Sequence, residues 1–399
     1  MKFASAISTQ ADLLDLVQDL DRQIRASFGS GKIDLVLLFA HPDVLRANTG
    51  LAETIRRGLG ARHIVGCSGA GILGNRQECE QQPAVSVLAA QLPGVEVVPF
   101  SISAEMLLEA TGPTFWHFQL EVTPETHPNL LVFLDPFSIP AATLVEALGE
   151  AYPAAPLIGG LASGGRQPGE SRLFCDDETL DAGAVGVALS GNVELRALIS
   201  QGCRPIGQPL TITRADNNVI IELGGRPPLA VLQELLPQLP AGDQKLAQMA
   251  VLLGRVINEY QEDFAQGDFL VRNLVGHDPA SGALAIGDWV RAGQTVQFQV
   301  RDGATAAADL DALLRREHEQ AGRAPVRGAL LVSCMGRGAG MYGEPNHDIE
   351  ALQRVLGPLP VAGFFANGEI GPVGSKSFVH GFTSVIGLFA EPAVKDTPA

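Results

Sequence analysis

The sequence predicts an α/β protein built from repeated strand–helix–strand units with glycine-rich turns, in two lobes, with an antiparallel β meander in the C-terminal module. Three observations lead there. The chain has 399 residues, 46% of them hydrophobic and only 18% charged. That is ample for a buried core and too long for one core of ordinary size. Near-continuous apolar runs recur, as expected of strands buried on both faces. The 45 glycines cluster after those runs, where tight turns close a strand.

The unit appears three times. Copy one opens with IDLVLLFA at Ile33, continues with a helical stretch bearing Leu51, Ile55 and Leu59 on one face, then HIVGCSGAGILG at His63 and VSVLAAQL after Pro83. Copy two opens with NLLVFLDP at Asn129, followed by AATLVEALGEAY, PLIGGLASGG at Pro156 and GAVGVALSG at Gly183. Copy three opens with RGALLVSCMGRG at Arg327, followed by NHDIEALQRVLG, LPVAGFFANGEIGPVG and FTSVIGLFA at Phe382. Each reads strand, helix, strand, glycine turn, strand, which implies parallel crossovers. In the third helix Asn346 is placed to cap, Asp348 sits in the first turn, Arg354 is near the end, and Gly357 and Pro358 stop it. The copies start at unequal intervals, so the architecture is duplicated and not a stacked array.

Between copies two and three the pattern changes. CRPIGQPLTITRADNNVIIELGG predicts a hairpin turning at Asp216 to Asn218, and PLAVLQELLPQL a short amphipathic helix. The segment from Phe269 to Gly303 predicts an antiparallel meander with turns at HDPASG and RAGQ, and TAAADLDALLRREHEQAG a helix. A boundary near Gly225 gives two α/β domains, 1–225 and 226–399.

A net charge of −16 argues against nucleic acid and anionic membranes as partners. The N-terminal MKFASAISTQ has no apolar core of a leader, and no apolar stretch is long enough to span a bilayer. The five scattered cysteines show no CxxC. They are expected as reduced thiols of a cytoplasmic protein.

GCSGAGILG at Gly66, GGLASGG at Gly159, and above all YGEPNHDIEAL, GFFANGEIGPVG and HGFTSVIGLF resemble the FIST family (F-box and intracellular signal transduction), from about Ile33 to Phe389. The resemblance implies an N-terminal and a C-terminal FIST module and a sensory role in signal transduction. It also implies a small ligand such as an amino acid, since members have been proposed to bind such ligands; some bacterial members bind haem and respond to nitric oxide. With no room here for an F-box or kinase domain, output is expected through a separate signalling protein.

The candidate ligand-binding residues follow from the turns. At the carboxyl ends of apolar strands, backbone amides of a glycine turn can hold a carboxylate. Cys67, Ser68, Gly69 and Ala70 offer this in copy one, and Gly160, Leu161, Ala162 and Ser163 in copy two. In copy three the candidates are Cys334, Arg337, Asn346, His347, Asn367 and Glu369: Arg337 and His347 are expected free for a ligand, Asn346 and Asp348 also cap the helix, and Asn367 and Glu369 occupy the matching turn. Gly69, Gly71 and Gly74 spell GxGxxG, but the polar NRQECEQQP that follows excludes a dinucleotide fingerprint. Ser68 lacks the final glycine of a nucleophile elbow. Cys67 and Cys334 each follow a strand and carry an alternative reading as nucleophiles. The eight histidines include no HxxxH pair, which leaves no assigned metal; one could still ligate haem. The expected function is a sensor of a small carboxylated metabolite, probed against a haem-based gas sensor, a cysteine-dependent enzyme and a ligand-free scaffold.

Overall fold

The computed structural model describes residues 1–320 and 324–392. They form a mixed α/β structure that divides into two compact units. The first comprises Met1–Ile199, Asp311–Val379 and the chain from Thr383; the second comprises Ser200–Leu310 with His380–Phe382. This division falls elsewhere than Gly225. The second unit is an insertion between copies two and three, so the chain leaves the first unit at Ile199 and re-enters it within the helix Gly303–Glu319.

The first unit holds three six-stranded sheets on one plan. In each, the two strands flanking the repeat's helix run parallel. Ile33–Ala40 lies beside Ala61–Ser68, Asn129–Leu134 beside Leu157–Leu161, and Val326–Cys334 beside Val361–Ala366. The third strand of each copy, Val85–Gln91, Ala184–Gly191 or Thr383–Ala390, pairs antiparallel with the first. These strands are mostly apolar and, past their first residues, almost wholly buried, because both faces are covered. Inward faces of all three sheets share one core, where the rings of Phe39, Phe133 and Phe364 meet at centroid distances of 5.0 to 6.0 Å. Such pairs contribute about 0.5–1.5 kcal/mol beyond the area they bury. Helices cover the outward faces. Leu13–Phe28 and Leu51–Leu59 bury Leu16, Leu20, Ile24, Ile55 and Leu59 over the first sheet. The strand Lys2–Ser8 and the helix Leu13–Phe28 were not assigned from sequence, although Asp12 caps that helix by accepting from the amides of Leu14 and Asp15.

After each glycine turn the chain forms a two-stranded hairpin that leaves its own sheet. The hairpin Ile72–Gly74/Gln77–Cys79 of copy one joins Val361–Ala366 of copy three. The hairpin Leu173–Cys175/Glu178–Leu180 of copy two joins Ala61–Ser68 of copy one. Copy three's Glu369–Val373 joins Leu157–Leu161 of copy two. The exchange is cyclic. Within each copy's own parallel pair one glycine is required by close approach: a Cβ at Gly66, Gly159 or Gly363 would lie 1.7–1.8 Å from the carbonyl oxygen of Leu38, Val132 or Leu331 in the adjoining strand.

The second unit is an all-antiparallel barrel. Leu210–Asp216 and Val219–Leu223 form the expected hairpin, with Asn217 at positive φ in its turn. Phe269–His277, Leu284–Ile286 and Thr295–Arg301 supply the meander strands. The sequence reading omitted Val251–Val256. It pairs with both Phe269–His277 and Thr295–Arg301, and with the Leu210–Asp216 pairing to Thr295–Arg301 it closes the ring. Its interior is apolar, with Ile212, Ile220, Leu253, Ile286, Val296 and Phe298 buried. Among the described residues no helix is long and apolar enough to cross a membrane.

Candidate functional site

The three glycine turns converge and hydrogen-bond one another. The Ser163 amide donates to Ser68 O (3.1 Å), and the Asn367 amide to Leu161 O (3.0 Å). The Ser163 side chain ties copies one and three as well: its hydroxyl accepts from the Ala70 amide (2.8 Å) and donates to Phe365 O. Leu161 N–H donates to Gly368 O, Phe365 N–H to Gly71 O, and Ser68 N–H to Arg172 O. Gly69 and Ala162 donate to Ala40 O and Leu134 O. The turn amides expected to hold an anion are therefore committed within the protein, a consequence of the close approach that the glycines permit. Cys67, Ser68, Gly69, Gly160, Leu161, Ala162 and Ser163 are buried; Ala70 is half-buried and Asn367 exposed.

Copy three adds a buried polar cluster. Arg337 is 1% exposed and pairs bidentately with Asp348, Nε to Oδ2 at 2.8 Å and Nη2 to Oδ1 at 3.1 Å. Asp348 also accepts from the Ser333 hydroxyl (3.0 Å), and His347 Nδ1 lies 3.3 Å from its Oδ1. The His347 and Tyr342 rings stack at 3.6 Å, and the Arg337 guanidinium lies over Tyr342. Arg337 is thus not free for a ligand in the way the sequence suggested: burial requires a counter-charge, and Asp348 supplies it. Asn346 does not cap the helix His347–Leu356 with its side chain. It has positive φ, and its Oδ1 accepts from the Glu78 amide (2.8 Å). The capping acceptor comes from copy one, where Glu78 Oε1 takes the Ile349 amide (3.0 Å).

Charges in this cluster oppose one another. Burial pushes the Glu78 carboxyl up to about 8, reinforced by the charge of Asp348 and opposed by the Ile349 amide. Burial would raise Asp348 as well, but Arg337, with His347 and Ser333, overrides it and holds that carboxyl well below the usual carboxylate range. Glu78 Oε2 and Arg337 Nη1 are buried without a hydrogen-bond partner. Beside them Glu80 accepts from the Ala339 amide (2.8 Å) and lines a cavity of about 110 Å³ with Ala70, Gly71, Met335 and Phe365. Glu78, Glu80, Ser333 and Tyr342 escaped the sequence reading. The two glutamates sit in NRQECEQQP, whose only local signal was polarity.

The remaining candidates separate from this cluster. Glu369 is buried and its Oε2 accepts from the Thr383 amide and hydroxyl (3.0 and 2.7 Å), so the protein itself supplies partners to this carboxylate. Cys67 is fully buried and burial raises its thiol well above the ordinary value, so no thiolate nucleophile forms there at neutral pH. Cys334 is half-buried at the end of its strand. The GxGxxG at Gly69 opens onto a hairpin, not a helix, in keeping with the exclusion of a dinucleotide site. Among the described residues no three His, Cys, Asp or Glu side chains gather to hold a metal ion.

The FIST N domain matches residues 34–226 and the FIST C domain residues 228–372. Protein Rv0628c of Mycobacterium tuberculosis (strain H37Rv) is 37% identical over 391 residues, 98% of this chain and 100% of that protein. Protein Mb0898c of Mycobacterium bovis is 39% identical over 330 residues, 82% and 83% of the two chains. Among solved structures, a cyanuric acid hydrolase from A. caulinodans aligns over 98% of this chain and 99% of its own, with 9% identity and a TM-score of 0.37.

Proposed function

The chain belongs to the FIST family, and from that premise we propose that it is a cytoplasmic sensor whose ligand is a small carboxylated metabolite, an α-amino acid in the simplest case. One observation carries the choice of ligand. Two buried groups, Arg337 Nη1 and Glu78 Oε2, lack partners in the same cluster, and Glu80, bonded to the Ala339 amide, lines a cavity with Ala70, Gly71, Met335 and Phe365. A buried polar atom left unsatisfied costs about 1–3 kcal/mol. A ligand that brings a carboxylate to Arg337 and an ammonium to Glu78, whose carboxyl gives up its proton as the ammonium arrives, recovers that cost. The atoms are closed off in this state, so entry requires the segment from Gly336 to Asn346 to move, and that motion is the signal. Output then passes to a separate signalling protein. Five scattered cysteines with no CxxC pair fit a reducing compartment.

A thermal-shift panel of free amino acids, their carboxamides and their N-acetyl derivatives tests this reading. A free amino acid at 100 times its Kd should stabilise by roughly 2.7 kcal/mol. The carboxamide and N-acetyl forms should not, and Glu78→Gln should erase the preference for a free amine. Mass spectrometry should recover the ligand chemically unchanged. No stabilisation by any free amino acid or other carboxylate would refute the ligand class, as would a preference untouched by Glu78→Gln. A Soret band in the purified protein would favour haem instead.

A further inference from the structure

A second cavity, of about 400 Å³, opens on the outer side of the first sheet, between the Arg46–Ala52 segment and copy two's exchanged hairpin. Its size falls within the range of small-molecule pockets. Leu45, Leu51 and Phe174 give it an apolar wall, while Arg46 and Arg172 are its charged members; no acidic residue lines it. In a chain of net charge −16, a cavity walled by two cations alone is a local inversion of sign.

The two arginines differ in how they are held. Arg46 pairs with Asp43 on the surface, its side chain 71% exposed. Such an exposed pair contributes little and exchanges readily for another anion. Arg172 is anchored. Its Nη1 donates to Gly169 O (2.6 Å) and Ser171 O (2.7 Å), while Nε and Nη2 make no hydrogen bond among the described residues. Its backbone is tied to the ring of turns in both directions: the Arg172 amide donates to Ser68 Oγ (3.1 Å), and the Ser68 amide donates to Arg172 O (2.8 Å). A guanidinium fixed on one side with its other edge unbonded is suited to a planar or tetrahedral oxyanion.

We propose that this cavity binds a small organic oxyanion with an apolar body. The oxyanion meets Arg172 and displaces Asp43 from Arg46, and the apolar body lies against Phe174, Leu45 and Leu51. Because Arg172 and Ser68 are bonded in both directions, occupancy bears directly on the ring of turns. The site shares no residue with the Arg337–Glu78 cluster, so it stands or falls independently of the proposed sensor site.

The test titrates the full chain with phenyl phosphate, benzoate, inorganic phosphate and phenol by calorimetry. Phenyl phosphate or benzoate should bind saturably at one site, tighter than inorganic phosphate and phenol, and whichever is tighter identifies the oxyanion. Arg172→Gln and Arg46→Gln should each weaken binding by roughly tenfold or more. Thr179→Trp, which keeps both arginines and fills the cavity, should abolish it, whereas Glu78→Gln should leave it unchanged. Should Arg172→Gln fail to fold, Arg46→Gln and Thr179→Trp decide. Absence of saturable binding, equal binding of phenol, or unchanged affinity in Arg46→Gln and Thr179→Trp would overturn the proposal.

Discussion

At the scale of single residues, Glu78 departs furthest from its sequence reading. It lies in a polar loop by sequence, yet it is 8% exposed and caps a helix that begins 269 positions later, at His347. Its pKa rises on folding from near 4.5 to about 8. The unfolded chain therefore releases this proton first. Between those two values the folded state binds the extra proton, so Glu78's contribution to stability falls as pH rises, by up to about 1.4 kcal/mol per unit, and the loss is complete above about 8. Glu78→Gln removes this contribution while keeping an acceptor for Ile349. Urea denaturation from pH 5 to 8.5 should show the variant losing less stability with rising pH than the parent. Identical slopes would mean that the Glu78 carboxyl is already ionised in the folded state.

Among the elements, the parallel strand pairs depend on their glycines. A Cβ at Gly66 would overlap the Leu38 carbonyl, which belongs to the strand's own hydrogen-bonding partner and cannot move aside without breaking the ladder. Gly66→Ala should cost about 3 kcal/mol or more, within the range for severe backbone and packing conflicts. Gly149 offers the contrast. It lies inside the helix Ala141–Ala151 with nothing within 4 Å of its Cβ position. Gly149→Ala should stabilise by about 0.5–1 kcal/mol. Denaturation midpoints measured side by side check both signs, and a Gly66→Ala chain as stable as the parent would show that the strands can separate to admit a side chain.

For the whole molecule, the barrel spans one continuous stretch, Ser200–Leu310, completed by only His380–Phe382 from elsewhere. Its strands close on one another through Thr295–Arg301, leaving no long unpaired edge. A fragment of residues 200–310 is expected to fold, with a cooperative thermal transition and dispersed amide NMR signals. A fragment starting at residue 226 loses Leu210–Asp216 and Val219–Leu223, two strands of the ring, and is expected not to. Cooperative folding of the shorter fragment, or none by the longer, would contradict this division of the chain.

Sequence alone determined the three repeats, the three long strands of each, the glycine turns and the antiparallel character of the inserted segment. These are local properties: an apolar run must be covered on both faces, and a glycine marks where two backbones approach. It also pointed to FIST membership through motifs in all three copies. Partners were another matter. Arg337 was assigned to a ligand, but folding places Asp348 against it, only eleven positions along. The amides of the glycine turns looked available because a single turn shows no acceptor; the acceptors come from the neighbouring strand end, as for Gly69 and Ala162, and from the other turns, as for Ala70, Leu161 and Ser163. The exchanged hairpins were invisible for the same reason, since nothing in Ile72–Cys79 names the sheet it joins. A segment's apolar pattern says that it must be buried. Which surface buries it, and which charge neutralises a buried charge, depends on distances that exist only once the three copies have closed on each other.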